Sequence, residues 1–210
     1  PRSEAPEHAP ARRRARGLSR TRLVRRTGMG VSIDCGEGLL LAVRSEAEAD
    51  EAFRLVARND AYLRVWLPWL DRCATVEAMK GRIAAWADES AKGESLHLAI
   101  RLHGEMIGSV AYNTISMFNR SATIGYWLSE HMRGRGVMSR AVRGLVDYGF
   151  GQRGLNRQVI AAATENQASR KVAERLGFRF EGIAREAEWI YGRKVDHAVY
   201  AVLASEWTVA

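Results

Sequence analysis

Between Arg133 and Ser139 the chain reads Arg133-Gly134-Arg135-Gly136-Val137-Met138-Ser139, a spacing that suggests a binding device for anions. Two glycines one residue apart let the backbone turn successive amide hydrogens into one concavity, and a helix beginning near Met138 would add the positive end of its dipole. Such a loop suits a diphosphate. The P-loop pattern needs four residues between its glycines and then Gly-Lys-Ser/Thr, and the dinucleotide pattern needs Gly or Ala where Ser139 stands, so neither fits. These few residues alone are also compatible with an ordinary flexible connection or with one unit of an RNA-binding arginine-glycine tract.

The neighbouring residues narrow the choice. From Ile124 to Phe178 the chain reads as a strand (Ile124-Gly125-Tyr126-Trp127-Leu128), the loop, a helix, a strand, then Asn166-Gln167-Ala168-Ser169, a helix and Leu176-Gly177-Phe178. That order resembles the GNAT acyltransferase superfamily, whose signature Gln/Arg-x-x-Gly-x-Gly/Ala is matched by Arg133 and Gly136, with the larger Met138 in the last place. The segments Ile124 to Glu130 and Asn166 to Ser169 look most like the branch that acetylates the N-termini of ribosomal proteins, the ribosomal-protein serine N-acetyltransferase type. The similarity runs from Leu39 to Trp207 and is strongest between Ile124 and Gly182.

The resemblance implies an α/β fold: one GNAT-like domain with a mixed, mostly antiparallel central sheet flanked by helices. It implies acetyl-CoA as co-substrate, no metal, and direct attack by a primary amine, foremost a protein N-terminal α-amine, in a ternary complex. A backbone amide at Leu128 would polarise the thioester carbonyl. The amides of Arg133, Gly134, Arg135, Gly136, Val137, Met138 and Ser139 would hold the diphosphate, with added charge from the two arginines. Glu130 matches the branch's general base, Ser169 the residue facing the leaving thiolate, and Asn166 a helix cap that touches the pantetheine arm.

Read as residues alone, Glu130 is equally an exposed loop carboxylate, and Asn166 with Ser169 equally a helix-start pair. Tyr62, Trp66 and Trp69 near Pro68 suit core packing, although the matching segment in relatives borders the acceptor site. His97 and His103 fall on an expected hairpin without a catalytic assignment, and His131 beside Glu130 is a bystander or relay. Two other functions stay open: acetylation of a small amine such as an antibiotic or polyamine, and a non-catalytic acyl-CoA-binding regulator.

The elements that must position these groups are legible as periodicity. Leu39 to Val43 reads as a strand and Glu46 to Arg58 as a helix capped at Ser45, with Ala49, Phe53 and Val56 on one side. A helix from Thr75 presents Met79, Ile83 and Trp86. Leu96 to Leu102 and Met106 to Tyr112 form a hairpin around His103-Gly104, followed by the strand through Ile124. Met138, Val142, Leu145 and Val146 give the next helix its apolar face. Val159 to Ala163 is a strand, Ala168, Val172 and Leu176 mark a helix ended by Gly177, and two closing strands run from Phe178 to Ala187 and from Lys194 to Leu203.

At 210 residues the chain suits one domain with a continuous core. Of its 32 basic and 24 acidic residues, nine Arg and two Glu fall in residues 1–30, which leaves 23 against 22 in the remainder. The net charge of +8 therefore belongs to that segment. With three of the four prolines it reads as a disordered arm preceding a domain over 31–210. A solvated extension is the simplest account of the arm. Contact with RNA or the ribosome, or an organellar transit segment, are further readings. No apolar run reaches the roughly 18 residues of a membrane span, so a cytoplasmic protein is expected, with no membrane partner and a homodimer as a modest expectation. Cys35 and Cys73 stand apart, without metal-ligand spacing, and read as reduced.

Overall fold

The computed structural model describes residues 24–27 and 30–208; the rest of the expected arm, residues 1–23 and 28–29, lies outside the described residues. Strand β1, Val24–Thr27, pairs antiparallel with β2, Gly30–Asp34. The sheet therefore begins inside the segment expected to be disordered. Ladder bonds are made by the main chain, so composition alone does not reveal such an edge pairing.

Next come β3, Leu39–Val43, α1, Ala49–Arg58, and the short α2, Asp60–Arg64. The capping box at Ser45 is present: Glu48 accepts from the Ser45 backbone at 2.6 Å, and a 3-10 turn over Glu46–Glu48 precedes the α-helix proper. Helix α3, Val76–Ala91, starts at Thr75, whose hydroxyl accepts from the Ala78 N–H at 3.1 Å. Strands β4, Leu96–Leu102, and β5, Glu105–Ser116, are joined by His103 and Gly104, both at positive φ, which suits a two-residue hairpin turn. Strand β6, Ser121–Leu128, α4, Val137–Gly151, β7, Arg157–Ala163, and α5, Gln167–Arg175, follow as the apolar spacing predicted. Strands β8, Arg179–Ile190, and β9, Arg193–Leu203, close the chain.

The sheet order is β1-β2-β3-β4-β5-β6-β7-β9-β8, and every neighbouring pair is antiparallel except β6 with β7. A parallel pair needs a crossover, which α4 supplies. One face packs α4 and α5 over a core that includes Leu41, Leu98, Tyr112, Leu145 and Val172; the other packs α1 and α3 over a smaller cluster with Leu55, Met79 and Met106.

Two features of this frame set up the site. The Tyr112 hydroxyl lies 2.7 Å from both the Leu145 carbonyl and Gln158 Oε1, while Gln158 donates to Val146 C=O at 3.0 Å, tying α4 to β5 and β7. Gly149 permits that approach, since a Cβ there would run into Tyr112 and Gln158. Further along, the parallel pairing of β6 and β7 spans only Ser121–Ile124 against Arg157–Ile160. Past Ile124 the two strands diverge. Gly125 to Leu128 keep β5 as partner and Ala161 to Ala163 keep β9, but between them the sheet is open.

Candidate active site

The loop after β6 has the geometry that its glycines suggested. Gly134 and Gly136 sit at φ of +75° and +72°, and a Cβ on either would meet nothing within 4 Å. Torsion, not crowding, calls for glycine there. Helix α4 starts immediately after, and its first turn-closing bond runs from the Arg140 N–H to the Gly136 carbonyl, so the amides of Val137, Met138 and Ser139 have no intrahelical partner. Val137 and Met138 turn their side chains into the core, which is how the chain accommodates Met where the signature has Gly or Ala. The Ser139 hydroxyl is buried without a partner at this helix start. Free amides, open space over two glycines and an orphaned hydroxyl fit a diphosphate group.

These residues form one side of a groove of about 660 Å³. Its floor is Tyr126, Trp127 and Leu128, its second side Asn166 to Ser169 with Val172, and Tyr62 of α2 and Trp66 just past that helix line it as well. Arg133 lies with its guanidinium 5.2 Å from the Tyr62 ring centroid and 3.9 Å from Glu130 Oε1. It lines the groove, whereas Arg135 does not.

A second cavity, about 680 Å³, fills the region where β6 and β7 separate. The two spaces share Trp66, Leu67, Tyr126, Trp127, Asn166 and Ser169. At that shared wall the Asn166 side chain accepts from the Ser169 N–H at 3.1 Å, capping α5. Ser169 Oγ donates to Tyr126 Oη at 3.1 Å, and Tyr126 donates to the Ser169 carbonyl at 3.0 Å. Burial pushes the Tyr126 phenol up to about 12, the Ser169 contact offsetting part of the effect, so Tyr126 remains a proton carrier at neutral pH. Tyr126 was not singled out in the sequence, although it lies inside the segment that carries the resemblance.

The structure gathers Leu128, the loop and Asn166 with Ser169, whereas Glu130 is not among the residues that line either space. Its side chain is 63% exposed, and the residue borders a third cavity with Asn59, Ser129 and His131. The backbone of Glu130 is engaged instead: its N–H donates to Asn59 Oδ1 at 2.9 Å, while Asn59 Nδ2 donates to the Leu55 carbonyl at 2.8 Å and Ser129 Oγ at 3.2 Å. Asn59 thus fixes the end of β6 to α1. A carboxylate does face the second cavity, Glu188 on β8, with His197 Nε2 of β9 at 3.0 Å. The sequence reading ended that strand at Ala187, one residue short. Past a bulge between Ala184 and Glu188, β8 continues to Ile190, and only that continuation carries Glu188 back to the sheet.

Trp66 and Trp69 prove to be cavity walls, Trp69 lying 6.5 Å from Trp127. His97 also lines the second cavity, stacked 4.4 Å from Trp86; burial, helped by Arg44 and Arg82, drives it down to about 3. It is neutral and packs as a ring. His103 belongs to its hairpin turn, where its N–H donates to the Gly38 carbonyl, and His131 stays with Glu130 at the third cavity. Both cysteines are buried and neither forms a disulfide, and no metal-ligand cluster of three or more side chains exists among the described residues. No described helix is long and apolar enough to cross a membrane.

Known proteins are similar to this chain in sequence and fold. Residues 39–179 match the acetyltransferase (GNAT) domain family. The chain is 30% identical to the ribosomal-protein-serine acetyltransferase of Escherichia coli (strain K12) over 174 residues, 82% of this chain and 97% of that protein. A ribosomal L7/L12 alpha-N-protein acetyltransferase in complex with coenzyme A superposes with a TM-score of 0.79 at 31% identity, covering 82% of this chain and 97% of that one. The microcin C7 self immunity acetyltransferase, solved with acetyl-CoA and AMP, gives a TM-score of 0.79 at 26% identity, covering 85% and 98%. The open parallel pair, the amide loop at the start of α4 and these matches lead to one conclusion: this chain belongs to the GNAT family of acetyl-CoA-dependent N-acetyltransferases.

Proposed function

We propose that this protein acetylates the N-terminal α-amine of a protein, in the manner of the ribosomal-protein enzymes it resembles, within the cytoplasm. The observation that carries the reading is the shared wall: a groove suited to coenzyme A and a separate cavity meet at Tyr126, Trp127 and Ser169. Acetyl-CoA supplies an activated acyl carbon at that junction, and the chain's own residues supply position and proton movement.

The amides from Arg133 to Ser139 hold the diphosphate, and main-chain donors near Leu128 orient the carbonyl. Glu188, held by His197, accepts the ammonium proton of the acceptor directly or through water. Its place in the acceptor cavity favours it over Glu130. Ser169, backed by the Tyr126 hydroxyl, returns a proton to the departing sulfur. An α-amine has a lower reference pKa than a lysine side chain and so needs less help to deprotonate.

The likeness to a self immunity acetyltransferase favours a second reading, transfer to a small amine. Incubation of the purified protein with acetyl-CoA and a mixed library of peptides, intact ribosomal proteins and small amines, read by mass spectrometry, separates the two. Acetylation of protein or peptide α-amines is expected. Transfer confined to small amines gives the second reading, and tight acetyl-CoA binding without transfer to anything gives a non-catalytic regulator.

A further inference from the structure

The acceptor cavity keeps its charges in two separate places. Glu188 and His197 stand on the β8–β9 side, whereas Arg72 and Arg82 stand on the α3 side with one carboxylate, Glu89. Glu89 is already engaged, 2.9 Å from Ser95 Oγ and 3.6 Å from Arg82. Arg72 is exposed, and none of the described ion pairs includes it. Positive charge dominates this end.

More positive charge lies behind the wall. Arg44 is 6% exposed, its Nε has no partner, and its guanidinium sits 4.7 Å from the Trp86 ring and 3.3 Å from Ser109 Oγ, both groups of the cavity wall. No carboxylate lies within ion-pair distance of Arg44 among the described ion pairs; Glu48 acts on it from further away and is itself paired with Arg101. A buried cation with no paired carboxylate, next to a wall of indole rings, attracts an anion more strongly than it would through water. Burial is the main reason that His97 titrates low, and the charges of Arg44 and Arg82 act in the same direction.

Resting on the acceptor reading above, we propose that this end is a subsite for a carboxylate of the acceptor, and that the preferred acceptor is a peptide with an acidic side chain three to five residues from its amino terminus. The spacing follows from the sheet. Trp86 of α3 stacks on His97 of β4, so the arginine end lies over β4; from β6, the proposed meeting point of amine and cofactor, back across β5 to β4 is two strand steps, about 10 Å, which an extended peptide covers in about three residues. The forked guanidiniums of Arg72 and Arg82 suit a carboxylate, and the ammonium lies toward Glu188. A polyamine would place a cation at the wrong end.

The test uses the full chain, acetyl-CoA and peptides of one length and one N-terminal residue, with a single Glu scanned through positions two to six and Gln or Lys as controls. Glu at positions three to five should raise kcat/KM about tenfold over Gln, chiefly through KM, and Lys should lower it. In Arg72→Gln and Arg82→Gln the Glu-to-Gln ratio should fall toward one, and Arg82→Glu should turn the preference toward Lys. Because each ratio is taken within one variant, partial loss of folded protein does not alter it. A ratio near one in the parent, a ratio independent of position, or a ratio that survives both substitutions overturns the subsite. If no peptide is acetylated while acetyl-CoA still binds, the acceptor reading itself falls and the subsite falls with it.

Discussion

The groove proposed for the cofactor and the cavity proposed for the acceptor share a wall but are built from different materials. The groove's defining groups are main-chain amides from one continuous loop and helix start, set by two positive-φ glycines. The cavity's defining groups are side chains: Trp69 and Arg72 around a 3-10 turn, Arg82 and Trp86 on α3, His97 on β4, and Glu188 and His197 on the closing hairpin. A backbone site of this kind constrains a few torsions and tolerates most side chains, whereas a side-chain site can change its ligand one residue at a time. The contrast suggests a constant donor side and an adaptable acceptor side in one fold.

The sharpest way to break this division is at proton transfer. Glu188→Gln should lower kcat by about 10² to 10⁴ with little change in KM for acetyl-CoA, because a proton-transfer group acts in the reaction and not on the cofactor. Glu130→Gln should leave kcat within about threefold of the parent, the outcome expected where Glu188 and not Glu130 takes the proton. Steady-state kinetics of the two variants decides between them, and the reverse ranking restores Glu130 as the base. A smaller effect is expected at the loop. Gly136→Val forces a β-branched residue to positive φ and should weaken acetyl-CoA binding by about 10- to 100-fold, the result of about 1–3 kcal/mol of backbone strain. Calorimetric titration alongside a melting curve tests this, and unchanged affinity would remove the loop from the site.

The smallest effect concerns the acceptor wall alone. His97 is held well below its unfolded value, so below about pH 6.5 the unfolded chain binds a proton that the folded chain refuses. Stability from this group is therefore full at neutral pH and declines as the pH falls, by about 2 kcal/mol at pH 5 on an order-of-magnitude scale. Melting temperatures of the parent and His97→Gln, measured from pH 7.5 to 5, should converge as the pH drops. Parallel curves would show that the imidazole is not buried as described.

This contrast also explains what could be read in advance. Arg133-Gly134-Arg135-Gly136 is contiguous, and Asn166 with Ser169 lies within one helix start, so the segments that carry the family resemblance were legible, although their spacing alone left an ordinary loop and a plain helix cap open. The helices over 49–58, 76–91 and 137–151 and the hairpin at His103-Gly104 were legible because apolar period and turn residues agree there. Glu188 was not legible, because it returns to the sheet only after an irregular bulge that alternation cannot track. Tyr126 was hidden by its type, as a strand tyrosine between Gly125 and Trp127 reads as packing until Ser169 is brought to its hydroxyl. The pairing of β1 with β2 was missed because the basic composition of residues 1–30 masked a main-chain interaction.

Tyr126, Trp127 and Ser169 border both spaces, so the two proposed ligands would meet over one set of residues. A single molecule joining coenzyme A through its sulfur to a peptide amine would therefore engage both halves at once, its second half docking at millimolar effective concentration. Such a conjugate should outcompete either half alone by orders of magnitude, making it an inhibitor scaffold and a means of trapping the enzyme with its acceptor in place.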